Sequence, residues 1–335
     1  MSAVSGWPER CLRLLQYVVL VAAASNITQV VRAEDKYPSH PVRIVVPYAA
    51  GGPGDIHARA FSGALGEELG QAVIVDNRPG ADGATGTEQV ARAAPDGYTV
   101  MQVATTQVIN MALKDSDRIR YDLLRDFVPV VRTAQVYMVL VAPLSSPARS
   151  VAELVALAKT KPNGLVYGSG ATGSVGHLSA ELFKRATDVN AMHVPYKGTG
   201  AALPDLIAGR LDFFFMTQFE AVGAVKGGQL RALAVTAPQR LAAFPDTPTM
   251  VELGYDGFDA KVTYGFMVPN KTPAPVIQRL QQGVLKAMEA PSVQKALQTL
   301  GATPYPGGPD ELRATIKSEL AGWGRVIKSA GITAD

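Results

Sequence analysis

Twice along this chain a short apolar run, a glycine loop and an amphipathic stretch follow one another, and that grammar restricts the fold more than any single motif. The first series opens with VRIVVPY (42–48), apolar enough for a strand covered on both faces, then the loop AAGGPGD (49–55). In IHARAFSGALGEELG (56–70) the apolar residues recur every three or four positions, which predicts a helix. AVIVDN, the loop RPGADGATG, the helical TEQVARAA, the turn PDG and the strand-like YTVMQVA complete the series. The second, 165–216, runs LVYGS, GATGSVG, HLSAELFKRA, AMHVPY, KGTG, AALPDLIAG and RLDFFFM. Such units predict an α/β fold with two lobes of like construction, each a mostly parallel sheet flanked by helices. VVRTAQVYMVLVAP (130–143) and AKVTYGFMVP (260–269) read as long strands crossing from one lobe to the other. One lobe is then 37–140 plus 262–335 and the other 141–261, with a hinge between them. Two independent domains in series is the alternative.

The N-terminus differs in kind. Arg10 and Arg13 precede the apolar LLQYVVLVAAA (14–24), and Val31-Arg32-Ala33 places small residues for cleavage, so 1–33 reads as a secretory signal peptide. The apolar run is short for a membrane span, although an anchor or a buried helix remains open. The only cysteine, Cys11, falls inside this segment, and a mature chain without cysteine suits an oxidising compartment such as the periplasm. Formal net charge is only +3 and no basic cluster stands out, which argues against nucleic acid as a partner.

Gly168, Gly170 and Gly173 in VYGSGATGSVGH spell G-x-G-x-x-G, the dinucleotide fingerprint, and Asp188 follows about twenty residues on. The acid that meets a ribose belongs at the carboxyl end of the second strand, whereas Asp188 precedes AMHVPY and Tyr196-Lys197-Gly198 occupies that end. No nucleotide and no other cofactor is expected. The helix start survives as an anion site: Ser169, Thr172, Gly173 and Ser174 surround backbone N–H groups that lack helical partners. Ordinary helix capping explains each hydroxyl equally well. The first lobe offers Tyr48, Gly51 and Gly52 at a second helix start, with Asp55 placed as a cap. Thr105, Thr106 and Asn110 follow a third strand, while Tyr196, Met216 and Thr217 end two others. Ligands of α/β sheets lie off these carboxyl ends. The four histidines show no paired spacing, so no metal is expected, and no nucleophile motif marks a catalytic serine.

Five segments resemble, in order, the solute receptors of tripartite tricarboxylate transporters, the Bug-type periplasmic receptors. They are YPSHPVRIVVPYAAGGPGDIHAR, VDNRPGADGATGTEQVARAAPDGYTV, YGSGATGSVGHLSAELF, HVPYKGTGAALPDLIAGRLD and GQLRALAVTAPQRLAAFPDTPTMVELG. The resemblance implies a type II periplasmic binding protein (a Venus flytrap) that performs no catalysis and acts as a monomer. It would bind a small organic carboxylate and deliver it to the permease subunits of a membrane transporter. It also implies a ligand held between the PYAAGGPGD and GSGATGS loops, by Tyr48, Gly51, Gly52, Ser169, Thr172, Gly173 and Ser174, with Thr105, Thr106 and Tyr196 near. Two departures stand out: Met216-Thr217 replaces the acid usual after LDFFF, and Thr263 stands where an aromatic residue is common. The lost acid leads us to expect a less polar ligand, an aromatic or aliphatic carboxylate. A receptor of the same fold serving a sensor kinase is the alternative role; a small-molecule enzyme is a more distant one.

Overall fold

The computed structural model describes residues 37–113 and 119–333, so the expected signal peptide, with Cys11, lies outside the described residues. By its contacts the chain divides at residue 39, and every element below belongs to the unit His40–Asp335.

β1 (Val42–Val46), β2 (Val73–Asn77) and β3 (Thr99–Ala104) pair in parallel with β1 at the centre. Helix α1 (Pro53–Leu69) links β1 to β2. It starts on a proline at its first turn and buries Ala58, Phe61, Leu65 and Leu69 as one stripe. Gly70 ends it in the left-handed region, its N–H returning to the Gly66 carbonyl. α2 (Ala84–Ala91) links β2 to β3, and α3 (Thr105–Leu113) begins where β3 stops.

β4 (Phe127–Pro143) is the axis of the molecule. Nearly every residue along it is buried, because helices and sheet neighbours cover both faces. Its first part, 127–137, runs antiparallel to β9 (Lys261–Pro269), which also pairs antiparallel with β3; β10 (Ala302–Gly307) joins its other edge. Its second part pairs antiparallel with β7 (Phe213–Thr217) and β8 (Leu230–Val235). β7 continues in parallel to β5 (Leu165–Ser169), and β5 to β6 (Ala191–Pro195). Each half thus keeps a parallel nucleus of three strands, extended by antiparallel strands where the chain crosses between halves. The second half carries α4 (Val151–Thr160), α5 (Val175–Thr187), α6 (Thr199–Ile207) and α7 (Gln218–Lys226). α8 (Ala274–Ala287), α9 (Pro291–Thr299) and α10 (Pro309–Ala330) close the chain, with α8 and α9 on α1 and α10 on α3, β4 and α5.

The halves have separate cores. One gathers Met101, Val103, Phe127, Met267 and Leu312; the other gathers Val139, Leu206, Phe214, Met216 and Leu230. Where the chain crosses, the Met138 N–H donates to Thr236 Oγ1 (2.9 Å) and the Thr236 N–H to the Met138 carbonyl (3.0 Å). Thr236 Oγ1 donates to the Ala260 carbonyl (2.5 Å), so one hydroxyl ties together both passages of the backbone.

Candidate functional site

The carboxyl ends of β2 and β3 on one side, and of β5 and β6 on the other, open onto a cavity of about 930 Å³. The first half contributes Ala81, Asp82, Thr106, Asn110, Leu113 and Ile119; the second contributes residues 171–174 and 195–197. Thr106, Thr172, Ser174, Tyr196 and the exposed Lys197 supply polar groups, while Leu113, Ile119 and Pro195 make an apolar wall.

On the second-half wall the loop before α5 is ordered from within. Ser174 is the N-cap of α5, its Oγ accepting from the His177 N–H (3.2 Å). The Ser174 N–H donates to the Ala171 carbonyl (3.1 Å) and the Gly173 N–H to His177 Nδ1 (2.9 Å). These two main-chain donors are therefore used inside the loop. The hydroxyls of Thr172 and Ser174 remain to donate to an anion, beside the ammonium of Lys197. Burial, aided by the adjacent His193, pushes His177 down to about 4, so its ring is neutral near pH 7 and free to accept from Gly173. The His177 and His193 rings stack at 3.8 Å, and His193 Nε2 meets Ser169 Oγ at 2.7 Å. Ser169 is fully buried and also bonds to the Ala171 carbonyl (2.9 Å), so it shapes the loop from beneath and does not line the cavity. Tyr196 does line it, with its hydroxyl donating to Asp205 Oδ2 (2.7 Å).

The first-half wall repeats one device. The Gly51 N–H donates to Asp55 Oδ2 (2.8 Å), four residues on, as the Gly173 N–H donates to His177. Burial opposes the charge on Asp55, but bonds from Arg59 and Gly51 outweigh it and hold the carboxyl below its ordinary value. Asp55 is thus a loop cap. Tyr48 is half-buried, its hydroxyl donates to Gln107 Oε1 (2.8 Å), and burial pushes its phenol well up. Tyr48, Gly51 and Gly52 are not among the lining residues, and Gly51 is exposed.

Thr105 and Thr106 part company because β3 ends at Ala104 and a helix begins. Successive helical side chains point about 100° apart, so Thr106 enters the cavity while Thr105 turns inward. Thr105 Oγ1 accepts from the Thr263 N–H (2.8 Å), and Thr263 Oγ1 donates to Glu319 on α10 (2.6 Å). Met216 is 2% exposed and packs in the second core; Thr217 caps α7 through a reciprocal pair of bonds with Glu220. Neither lines the cavity. Asp188 is the left-handed C-cap of α5, at the opposite end of that helix from the loop. Sequence reasoning passed over Ala81, Asp82, Leu113, Ile119 and Lys197 as site residues. Two of them, Asp82 and Lys197, carry charges without an ion pair among the described residues, and the loops that hold them follow strand ends, which was the available signal.

Gly173 comes close to Leu113, which the other half contributes to the cavity. Its φ is +75°, and a Cβ there would stand 2.9 Å from Leu113 Cδ1 on α3. Gly173→Ala is expected to lower stability by about 1–3 kcal/mol, through the left-handed backbone and the contact with Leu113. Denaturant titration checks this, and an unchanged midpoint refutes it.

Among the described residues no group of three His, Cys, Asp or Glu side chains could hold a metal ion, and no helix is long and apolar enough to cross a membrane.

The family profile described as "Tripartite tricarboxylate transporter family receptor" (TctC) matches residues 57–332. Protein BugT of Bordetella pertussis is 34% identical over 319 residues, covering 95% of this chain and 98% of its own. The structure of the periplasmic binding protein BugD superposes with a TM-score of 0.76 at 32% identity, covering 89% of this chain and 100% of BugD. R. palustris Rpa4515, solved with adipate, gives a TM-score of 0.78 at 34% identity, covering 89% and 99%. The fold is therefore the two-lobed α/β fold of periplasmic binding proteins, and the chain belongs to the tripartite tricarboxylate transporter receptor family.

Proposed function

We propose that this protein is an extracytoplasmic receptor that captures a small carboxylate between lobes 37–140 plus 262–335 and 141–261. It acts as a monomer without catalysis, is exported to the periplasm by residues 1–33, and delivers its ligand to the permease subunits of a tripartite transporter. The observation that carries this reading is the cavity between the two halves, with Thr106 on one wall and Thr172, Ser174 and Lys197 on the other. Three hydroxyls and an ammonium suit a carboxylate, and bonds that involve a charge each contribute roughly 1.5–3 kcal/mol. A few of them approach the ~8 kcal/mol of a micromolar ligand. The adipate bound to Rpa4515 supports the ligand class. The Leu113–Ile119 wall supports a ligand with an apolar body.

A panel of mono-, di- and tricarboxylates tests it. A ligand present at 100 times its Kd adds about 2.7 kcal/mol to stability. For a chain of this size that raises the Tm by several degrees, and closure shrinks the radius seen by small-angle scattering. If no carboxylate moves either quantity, the reading fails.

A further inference from the structure

Among the described residues that line the cavity, one is an acid. Asp82 lines it beside Thr106 and Asn110, and its carboxylate makes no hydrogen bond or ion pair among the described residues. Its charge helps to push up the phenol of Tyr48. The backbone holds Asp82 there in an unusual conformation: φ is 45° at Ala81 and 49° at Asp82, left-handed values that favour glycine. The Asn110 amide pins this turn by donating to the Asp82 carbonyl (3.0 Å). Aspartate tolerates this region better than most residues, and the turn leaves its carboxylate exposed at the cavity. On the second-half wall Lys197 is likewise without an ion pair among the described residues. A carboxylate from one half and an ammonium from the other, each without an ion pair among the described residues, thus line one cavity together with the apolar Leu113 and Ile119.

We propose that Asp82 determines specificity, selecting a zwitterionic ligand: a carboxylate at the Thr172–Ser174–Lys197 end and an ammonium group at the Asp82 end, separated by an aliphatic spacer. This rests on the carboxylate-receptor reading above and deepens it. It also answers the expectation drawn from Met216: the acid missing there is supplied by the other half, so the ligand is apolar in its middle and charged at both ends. A dicarboxylate of the same length would set its second anion against Asp82.

Matched probes separate these cases. Glutarate and 5-aminopentanoate, adipate and 6-aminohexanoate, and hexanoate are titrated into the wild-type protein, Asp82→Asn and Asp82→Gly. In the wild type the amino acid should bind at least tenfold tighter than the dicarboxylate of equal length. Both variants should lose that preference, with the dicarboxylate gaining affinity. Asp82→Gly should melt no lower than the wild type without ligand, which shows the loop intact. A dicarboxylate preference in the wild type, or the same ratio in all three proteins, overturns the proposal and leaves the carboxylate receptor standing. If no probe binds, and the wider carboxylate panel also fails, the receptor reading falls and this inference with it.

Discussion

Ser174→Asp should lower carboxylate affinity at least a hundredfold while moving the ligand-free Tm by no more than about 2 °C. The two effects separate because Ser174 has two duties. As the N-cap of α5 it accepts the His177 N–H, and aspartate caps a helix as well as serine does, with a favourable charge at that end. As a lining residue it faces the anion, and there aspartate is the wrong sign. Two like charges 4–5 Å apart at an effective dielectric of about 20 repel by roughly 3–4 kcal/mol, more than two decades in Kd. Calorimetric titration and a melt of the same preparation decide it. Affinity within threefold of the wild type would move the anion site away from this helix start.

The second large effect concerns Glu319, far from the cavity in function yet joined to it through α3. Its carboxyl accepts from Thr263 Oγ1 and from Thr105, the residue before the cavity-lining Thr106. Burial pushes it up to about 7 from 4.5, against the lowering effect of these bonds and of Lys261. The folded state therefore holds this proton more tightly than the unfolded chain. Its contribution to stability is full below about pH 4.5 and is lost as the pH rises through 7. The loss is about 2–3 kcal/mol once solvent screening of a partly exposed group is allowed for. Glu319→Gln keeps an oxygen for both threonines and has nothing to ionise. It should match the wild type at pH 5 and exceed its stability by that amount at pH 8.5. Denaturant titrations at four pH values give the curves; parallel curves would remove Glu319 from the account.

The sequence carried the frame of the molecule in its periodicity. Apolar runs such as VRIVV announce strands buried on both faces, and the glycine loops mark the strand ends where the cavity opens. What it could not carry was the direction of individual side chains. Thr105 and Thr106 are equivalent hydroxyls on paper, and one helical step sends them to opposite sides of α3. Ser169 and Thr172 look alike in the glycine loop, yet the first is consumed by His193 and Ala171, an arrangement set by a strand more than twenty residues away. Some main-chain donors are spent within the loops for a related reason. Gly51 and Gly173 give their N–H groups to side chains four residues later, a closure that glycine content alone does not reveal. Asp82 sits beside glycine, where an acid reads as a turn former, and only the fold brings it to the same cavity as Lys197.

β4 belongs to both sheets at once, and this governs what the protein can lose or exchange. Separating the halves means cutting β4 within its own length, since residues 127–137 pair with β9 and β10 while 138–143 pair with β7 and β8. The continuity of this one strand is what couples the two halves mechanically.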